Sequence, residues 1–400
     1  MTTISVRLPA PVPGDVRDTL CKHMYWVTPG IRAVTVVEGE PPGMVVDYEG
    51  ALDGPAVARA LREAASEVLA GSDAFRPVVV HDSPVVLAAA PRADPFPTLE
   101  QRRWVCAEAP GSFTYTGPMA RLIDGLDRSF RRRLSAFGPA EVQLPTLVAP
   151  RTLHTTGGLG ATAPAANYVF HLQEGRSVVD RFAAACVDPD TGELDLRSVP
   201  DTSDRPDAVL SPAVCQPFYR TLSDRTLDGP QVVSGRARCY RYESGATEGL
   251  RRLREFTVRE LVCVGSETAV LRARETMLEA AAELLRERRV RGQIRTAADP
   301  FFIDTFSRMR MYQLSFSVKH ELLAELPFDG SDLAIGSVNY HGDHFGRAWR
   351  IRTGDGEWAH SCCMGLGLDR WAYALFAQHG PDPERWPAAV HGLLGGTDGS

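Results

Sequence analysis

Hydrophobic and polar positions alternate over four short stretches near the N-terminus. These strand-like stretches are residues 4–7, 31–37, 44–48 and 77–81. Between the third and the fourth, Val57, Leu61, Ala64 and Val68 recur every three or four residues, which predicts an amphipathic helix over residues 55–69. Prolines and glycines then cluster at Pro91, Pro95, Pro97, Pro110 and Gly111, as is typical of a linker. We therefore predict a small N-terminal α/β domain over residues 1–112.

The pattern beyond residue 112 indicates longer elements. Amphipathic helices are predicted over residues 119–137, 268–289 and 367–379. Strands are predicted over residues 141–145, 236–243, 255–264, 333–337 and 348–352, and a further one carries Lys319 and Glu321. Strands that arrive as hairpins with helices between them favour an antiparallel β-sheet flanked by helices. The predicted fold class is therefore α+β, and a length of 400 residues allows two domains.

Composition and charge narrow the possible surroundings and partners. The chain is 44% hydrophobic and 24% charged, and no run of about 18 apolar residues predicts a membrane span. The N-terminal residues lack a secretory apolar region, so a cytoplasmic location is the default expectation. The net charge is −6, and the basic runs at residues 131–133 and 286–295 are local. Such runs are more often solvated helix faces than nucleic-acid sites, which weakens a tRNA partner without excluding one.

Eight cysteines are scattered along the chain, among them Cys186, and none forms a CxxC pair. In a reducing compartment such thiols are expected to be buried or to bind metal rather than to form disulfides. A metal site would therefore have to be assembled from segments that lie far apart in the sequence.

One stretch combines arginines, carboxylates and an aromatic ring on two predicted strands joined by a loop. It contains Arg241 and Glu243, then Arg252 and Phe256, and ends at Glu260. The planar guanidinium suits bidentate phosphate contacts, and an aromatic ring can stack on a purine. A surface hairpin with paired charges would give the same composition, so this stretch alone leaves both interpretations open.

Three segments in order resemble the motifs of class II aminoacyl-tRNA synthetases. The stretch just described resembles motif 2, and Gly365-Leu366-Gly367-Leu368-Asp369-Arg370 resembles motif 3. The helix at 119–137, followed by a strand that ends at Pro145, resembles the dimer-forming motif 1. The resemblance implies a class II synthetase-like antiparallel sheet in a catalytic domain over residues 113–400, and a homodimer.

Residues 334–346 narrow the resemblance further. This stretch, which contains Asn339-Tyr340-His341-Gly342-Asp343-His344, is similar to the signature of amino acid:[carrier protein] ligases, relatives of the atypical zinc-dependent seryl-tRNA synthetases. Cys215, Glu260 and Cys363 stand where that family places its zinc ligands. Three protein ligands leave a fourth position open, as in zinc sites that bind a substrate, and the resemblance implies that the amino group of the amino acid binds there. Cys362 competes with Cys363, but adjacent strand residues point to opposite faces and only one of them should face the metal.

The resemblance implies roles for further residues. Arg241 should contact the α-phosphate of ATP, Arg370 the γ-phosphate and Glu243 the adenine region, while Phe256 stacks on the base and Arg252 steers the triphosphate. Asp332 and Ser337 are the candidates for the region of Mg²⁺ that accompanies ATP, although relatives place a glutamate where Asp332 stands. Asp369 likewise replaces a glutamate before Arg370, with its charge kept. Asn339, Lys319 and Glu321 are the candidates for contacts with the amino acid, and His341 and His344 either line the pocket or belong to a hydrogen-bond network.

The function implied is ATP-dependent activation of a small amino acid as an aminoacyl-adenylate, followed by transfer to the phosphopantetheine thiol of a carrier protein. An atypical seryl-tRNA synthetase that charges tRNA is the first alternative, which the extra N-terminal domain favours. A non-catalytic synthetase paralogue is the second, which the presence of Arg241, Arg370 and all three zinc-ligand candidates disfavours.

Overall fold

The computed structural model describes residues 1–37, 39–70, 77–87, 93–161, 163–185, 206–243, 247–297 and 318–395. Pro91 of the predicted linker and Cys186 lie outside these residues. Within the described part of the chain no helix is both long and apolar enough to cross a membrane.

The N-terminal unit is a three-stranded antiparallel sheet with two helices. Its elements in chain order are β1 (Thr2–Arg7), α1 (Gly14–Met24), β2 (Ile31–Val37), β3 (Gly43–Tyr48) and α2 (Gly54–Ala70). The strands lie in the order β1-β3-β2. Helix α1 was not predicted, although Leu20 and Met24 lie four residues apart and are fully buried in the core of this unit.

The described residues between 79 and 112 pack with the larger unit instead. Strand β4 (Val79–Ser83) pairs with a strand more than two hundred residues later in the chain. Helix α3 (Phe96–Gln101) contributes Leu99, and the hairpin β5 (Val105–Ala109) and β6 (Ser112–Tyr115) contributes Val105, to the main hydrophobic core. We therefore propose that the two units divide before Val79 and not at residue 112.

An eight-stranded sheet forms the centre of the larger unit. In sheet order its strands are β4, β14 (Gly292–Thr296), β15 (Lys319–Leu326), β16 (Ser331–Gly342), β18 (His360–Gly367), β13 (Glu255–Gly265), β12 (Gln231–Tyr240) and β7 (Ala140–Glu141). Every neighbouring pair is antiparallel except β12 and β7, which run parallel. The α+β class is confirmed, and the sheet is mixed only at this edge.

The remaining strands are short and lie outside the large sheet. They are β8 (Leu147–Val148), β9 (Asn167–Val169), β10 (Ala208–Leu210), β11 (Thr226–Leu227) and β17 (Arg352–Thr353). The remaining helices are α4 (Gly117–Leu134), α5 (Pro150–Thr155), α6 (Gly158–Ala161), α7 (Arg176–Ala185), α8 (Gln216–Thr221), α9 (Glu267–Glu287), α10 (His344–Trp349), α11 (Leu368–His379) and α12 (Ala388–His391).

The two faces of the sheet carry different contents. Helices α4, α9 and α11 cover one face, which we call the back face, and their apolar stripes pack on residues such as Leu261, Met364 and Leu366. The opposite or front face carries Val262 and Cys363, against which α8 packs through Phe218 and Tyr219. Since side chains alternate along a strand, successive residues of one strand point in turn into the main core and towards the front face.

Two predicted strands were wrong in extent or kind. The strand at 141–145 is reduced to the pair Ala140–Glu141. The predicted strand at 348–352 instead starts in the last two residues of helix α10, passes through Arg350 in a left-handed conformation with φ 54° and reaches the short strand β17 only at its last residue. Tertiary packing decides this difference, because Phe345 and Gly346 of α10 are buried and a Cβ at Gly346 would lie 2.1 Å from the carbonyl oxygen of Ala359.

Candidate functional site

The three candidate metal ligands lie together on the front face. Glu260 on β13 and Cys363 on β18 come from paired strands, and Cys215 immediately precedes α8, which packs over them. One ligand atom from each lies within 4.8 Å of the other two, and all three residues are buried. The sequence prediction that these distant residues converge is confirmed, while their role as metal ligands stays a prediction.

The chemistry of this cluster suits a divalent cation. Burial raises the pKa of Glu260 despite hydrogen bonds from the two thiols. A hydrogen bond from Cys363 acts to lower the pKa of Cys215, but burial and the Glu260 carboxylate outweigh it and the pKa is raised. The pKa of Cys363 is raised because it hydrogen-bonds Cys215 and is buried. Three acidic groups crowded in this way are hard to ionise without a cation, and two sulfurs with one carboxylate oxygen form a donor set that zinc accepts.

Cys362 points away from this cluster. Its Sγ lies on the back face, 3.5 Å from the carbonyl oxygen of Val270 and 3.9 Å from Sδ of Met277. The expectation that only one of the two adjacent cysteines faces the cluster is confirmed, and that cysteine is Cys363.

The candidate substrate residues lie beside the cluster on the same face. Asn339 is the cross-strand partner of Cys363, and its Nδ2 donates to Oγ of Ser337 at 3.0 Å and to Sγ of Cys363 at 3.7 Å. Lys319 is the partner of Asn339 on the other side, and its Nζ lies 3.1 Å from a carboxylate oxygen of Glu321. Polar groups of both signs therefore border the three acidic ligands.

The predicted phosphate-binding arginines come together near the same face. Nε of Arg241 donates to the carbonyl oxygen of Pro212 at 3.1 Å, and its guanidinium lies 5.4 Å from the ring centroid of Phe256. Nη1 of Arg370 donates to the carbonyl oxygen of Ala334 at 3.1 Å. Burial and the neighbouring Arg370 lower the pKa of Arg252 to about 10.

Carboxylates partly balance these guanidinium groups. Glu243 lies 3.9 Å from Nε of Arg252. Burial lowers the pKa of Arg370, and the charge of Glu243 opposes that shift while the charge of Arg241 adds to it. Crowded, partly desolvated guanidinium groups of this kind are typical of a site for a polyphosphate.

Two acidic positions that depart from the family pattern have defined partners. A carboxylate oxygen of Asp332 lies 3.4 Å from Arg295 and 3.3 Å from the amide nitrogen of Gln293. Asp369 is buried and accepts a 2.6 Å hydrogen bond from the backbone N–H of Thr257. Asp369 therefore connects the start of α11 to β13 by a hydrogen bond. Asp332 instead forms an ion pair with Arg295.

Sequence reasoning did not single out Tyr219 or Ser361, which lie next to the cluster. Nδ1 of His341 lies 3.0 Å from Oγ of Ser361 and 3.3 Å from Oη of Tyr219, while Nε2 of His344 donates to the carbonyl oxygen of Thr156 at 3.1 Å. Both histidines thus belong to hydrogen-bond networks. Tyr219 lies one helical turn after Cys215, and this spacing was the only sequence signal that could have drawn attention to it.

Comparison with known proteins connects this geometry to a family. Residues 200–379 match the model of the tRNA synthetase class II core domain for the G, H, P, S and T enzymes. An amino acid–[acyl-carrier-protein] ligase 2 of Bradyrhizobium diazoefficiens is 40% identical over 194 residues, which are 47% of this chain and 57% of that protein. A type-2 serine–tRNA ligase of Methanopyrus kandleri is 30% identical over 305 residues, which are 72% of this chain and 58% of that protein.

A solved structure extends the comparison to almost the whole chain. The crystal structure of M. kandleri SerRS in complex with A. aeolicus tRNASec superposes with a TM-score of 0.70 and 25% identity, covering 98% of this chain and 76% of that one. The matches to the two curated relatives above span only 57% and 58% of those proteins' own lengths. The chain contains a class II tRNA synthetase core domain, and its homologues include amino acid–[acyl-carrier-protein] ligases and type-2 serine–tRNA ligases.

Proposed function

We propose that this chain uses ATP to activate a small amino acid as an aminoacyl-adenylate and then transfers the aminoacyl group to the phosphopantetheine thiol of a carrier protein. The observation that carries the proposal is that the candidate metal ligands and the candidate phosphate-binding arginines lie near one face of the sheet. The buried cluster of Cys215, Glu260 and Cys363 lies beside Asn339 and Lys319, and the arginines 241, 252 and 370 gather near the same face.

In this proposal Cys215, Glu260 and Cys363 would hold a zinc ion, which would supply a binding position for the amino group of the substrate. Asn339 is the cross-strand neighbour of Cys363, and Lys319 is the cross-strand neighbour of Asn339. Both then lie where they can contact the bound amino acid. Binding the amine at one end fixes the direction in which the carboxylate points. Catalysis comes largely from such positioning.

The arginines act on the nucleotide. Arg241 stabilises the charge that develops on the α-phosphate as the carboxylate attacks it, and Arg370 holds the γ-phosphate, so that pyrophosphate leaves. Phe256 stacks on adenine, Glu243 contacts the base and Arg252 steers the triphosphate. Asp332 and Ser337 are proposed for the region of the magnesium ion, and Asp332 would have to exchange its contact with Arg295 for this role.

Two other functions remain as alternatives. Charging of tRNA is favoured by the superposition on the M. kandleri enzyme, since the match includes the N-terminal unit. Against it, the chain carries a net charge of −6, whereas phosphate contacts usually require a basic surface. A non-catalytic paralogue is the second alternative.

Amino-acid-dependent exchange of pyrophosphate into ATP tests the activation step. We expect exchange with one or a few small amino acids and its loss on zinc chelation. The activated amino acid should then be offered to phosphopantetheinylated carrier proteins and to total tRNA. Thioester formation supports the leading proposal, robust charging of tRNA would replace it with the first alternative, and no exchange with any amino acid would favour the non-catalytic paralogue.

A matched pair of arginine variants tests the assignment of Arg241. Arg241→Gln should slow exchange about 100-fold or more, because it removes charge stabilisation at the reacting phosphate. Arg238→Gln, three residues earlier in the chain, changes a guanidinium that pairs with Glu255 on the back face and should leave exchange within about threefold of wild type. Equal effects of the two changes would contradict the role given to Arg241.

A further inference from the structure

A β-bulge directs one histidine at the candidate metal cluster. Strand β16 pairs with β18 through Asn339 and Cys363 and through Tyr340 and Cys362, but the register then shifts so that Gly342, and not His341, faces Ser361. Gly342 has φ +56°, which favours glycine at this position. Bulges re-aim side chains next to functional sites, and here Nε2 of His341 comes to lie 3.7 Å from Sγ of Cys363.

His341 lies outside the ligand set itself. The described ligand atoms that lie within 4.8 Å of one another come from Cys215, Glu260 and Cys363 and do not include His341. Its Nε2 lies 3.7 Å from Sγ of Cys363, and its Nδ1 lies near the hydroxyls of Ser361 and Tyr219. The histidine is therefore placed to contact a ligand sulfur and leaves the fourth metal position to a substrate.

The neighbours of the ring decide which nitrogen carries the hydrogen. A metal-bound thiolate can only accept a hydrogen bond, so the nitrogen that faces Cys363 must be the donor. The hydroxyls of Ser361 and Tyr219 can each donate to Nδ1. Tyr219 is in turn held by stacking on Phe345, with ring centroids 3.9 Å apart and an interplanar angle of 10°. A hydrogen on Nε2, with Nδ1 accepting from a hydroxyl, is thus the arrangement that suits a metal-bound Cys363 thiolate.

We propose that His341 is a positioning residue for the metal site, which donates its Nε2–H to the Cys363 thiolate and thereby orients this ligand and raises the affinity for zinc. The inference rests on the metal site of the proposed function. Hydrogen bonds to ligand atoms from residues outside the ligand set commonly change metal affinity by about 10–100-fold. His341 supplies such a donor from strand β16. Asn339 on the same strand supplies a second one through its side-chain amide.

Zinc affinity, measured by competition with a chromophoric chelator, tests the proposal. His341→Phe keeps an aromatic ring but removes the donor, and should weaken zinc binding about 10-fold or more. His341→Gln keeps an N–H group near the position of Nε2 and should restore most of the affinity. His344→Phe is the matched control: both histidines lie 5.0 Å from the ring centroid of Phe345, but His344 contacts the backbone of Thr156 and not Cys363.

A spectroscopic measurement separates this role from a purely structural one. With cobalt(II) in place of zinc, loss of the hydrogen bond raises the energy of the sulfur lone pairs, so His341→Phe should shift the thiolate-to-metal charge-transfer absorption to lower energy, and His344→Phe should not. Melting of the metal-free proteins shows whether the variants fold. Unchanged zinc affinity and an unchanged cobalt spectrum in folded His341→Phe would overturn the proposal.

A second test uses the wild-type protein alone and so does not depend on any variant folding. Nitrogen-15 NMR of histidine-labelled, zinc-loaded protein should show His341 as the Nε2–H tautomer, and the Nδ1–H tautomer would contradict the proposal. Neither test requires ATP, amino acid or carrier protein. A protein that binds zinc but activates no amino acid would therefore contradict the proposed function alone.

Discussion

On the front face of the sheet, three side chains that lie far apart in the chain come together, namely Cys215, Glu260 and Cys363. Resemblance to a ligase family singled out Cys215, Glu260 and Cys363, and alternation along a strand predicted that Cys362 and Cys363 would face opposite ways. In the structure the three candidate ligands lie together, and Cys362 points to the back face. Tyr219 and Ser361 were missed, because a tyrosine and a serine carry no chemical signal until the fold brings them to His341.

The two adjacent cysteines provide an internal control. Cys363→Ala should abolish stoichiometric zinc binding, because two remaining ligands hold zinc poorly. Cys362→Ala removes a buried sulfur from the back face and should lower stability by about 1 kcal/mol while zinc binding is retained. Metal analysis after gel filtration, with urea unfolding for stability, checks both. Loss of zinc in the Cys362 variant but not in the Cys363 variant would contradict the assignment.

Whole elements were predictable where a long periodic pattern fixed them. Helix α9 was predicted at 268–289 and lies at Glu267–Glu287 because its apolar stripe repeats over many turns. Strand β4 was predicted within the N-terminal domain, but it pairs with β14, which lies far away in the chain, and no local pattern encodes that pairing. The strand predicted at 348–352 overlaps the end of helix α10, where the close packing of Gly346 on Ala359 outweighs local preference.

One buried ion pair connects helix α4 to the sheet. The guanidinium of Arg259 on β13 is 3% exposed and donates to both carboxylate oxygens of Asp127, at 2.8 and 3.0 Å, and to Glu141 on β7 at 2.6 Å. The pKa of Arg259 is raised: burial acts to lower it, but the hydrogen bonds to Asp127 and Glu141 and their charges outweigh that effect. The network joins α4, β7 and β13. These elements lie in the segments that resemble motifs 1 and 2.

Removal of one partner from this network should be costly. Asp127→Ala should lower the free energy of unfolding by about 3 kcal/mol, since it leaves a buried guanidinium short of a counter-charge. Asp124→Ala, three residues earlier on α4, removes a contact with the more exposed Arg236 and should cost less than about 1 kcal/mol. Urea denaturation measures both changes. Equal costs would show that Arg259 does not depend on Asp127.

At the scale of the whole molecule, the N-terminal unit contacts the larger unit next to the candidate site, and each of the two has a hydrophobic core of its own. One core belongs to residues 4–69 and the other to the large sheet and its helices. The units meet where Trp26 lies edge-on to Tyr242, with ring centroids 6.2 Å apart, and Tyr242 directly follows Arg241. Neither the predicted division into two units nor the net charge of −6 determines whether the acceptor is a carrier protein or tRNA.

One face of the sheet is proposed to hold a metal and an activated amino acid side by side. The most direct test is a crystal grown with zinc and a non-hydrolysable aminoacyl-adenylate analogue, with anomalous data collected at the zinc edge. We expect one anomalous peak about 2.3 Å from the sulfurs of Cys215 and Cys363 and about 2.0–2.2 Å from a carboxylate oxygen of Glu260, with the amino group of the analogue as fourth ligand. A crystal with the analogue bound and no anomalous density among these three residues would contradict it.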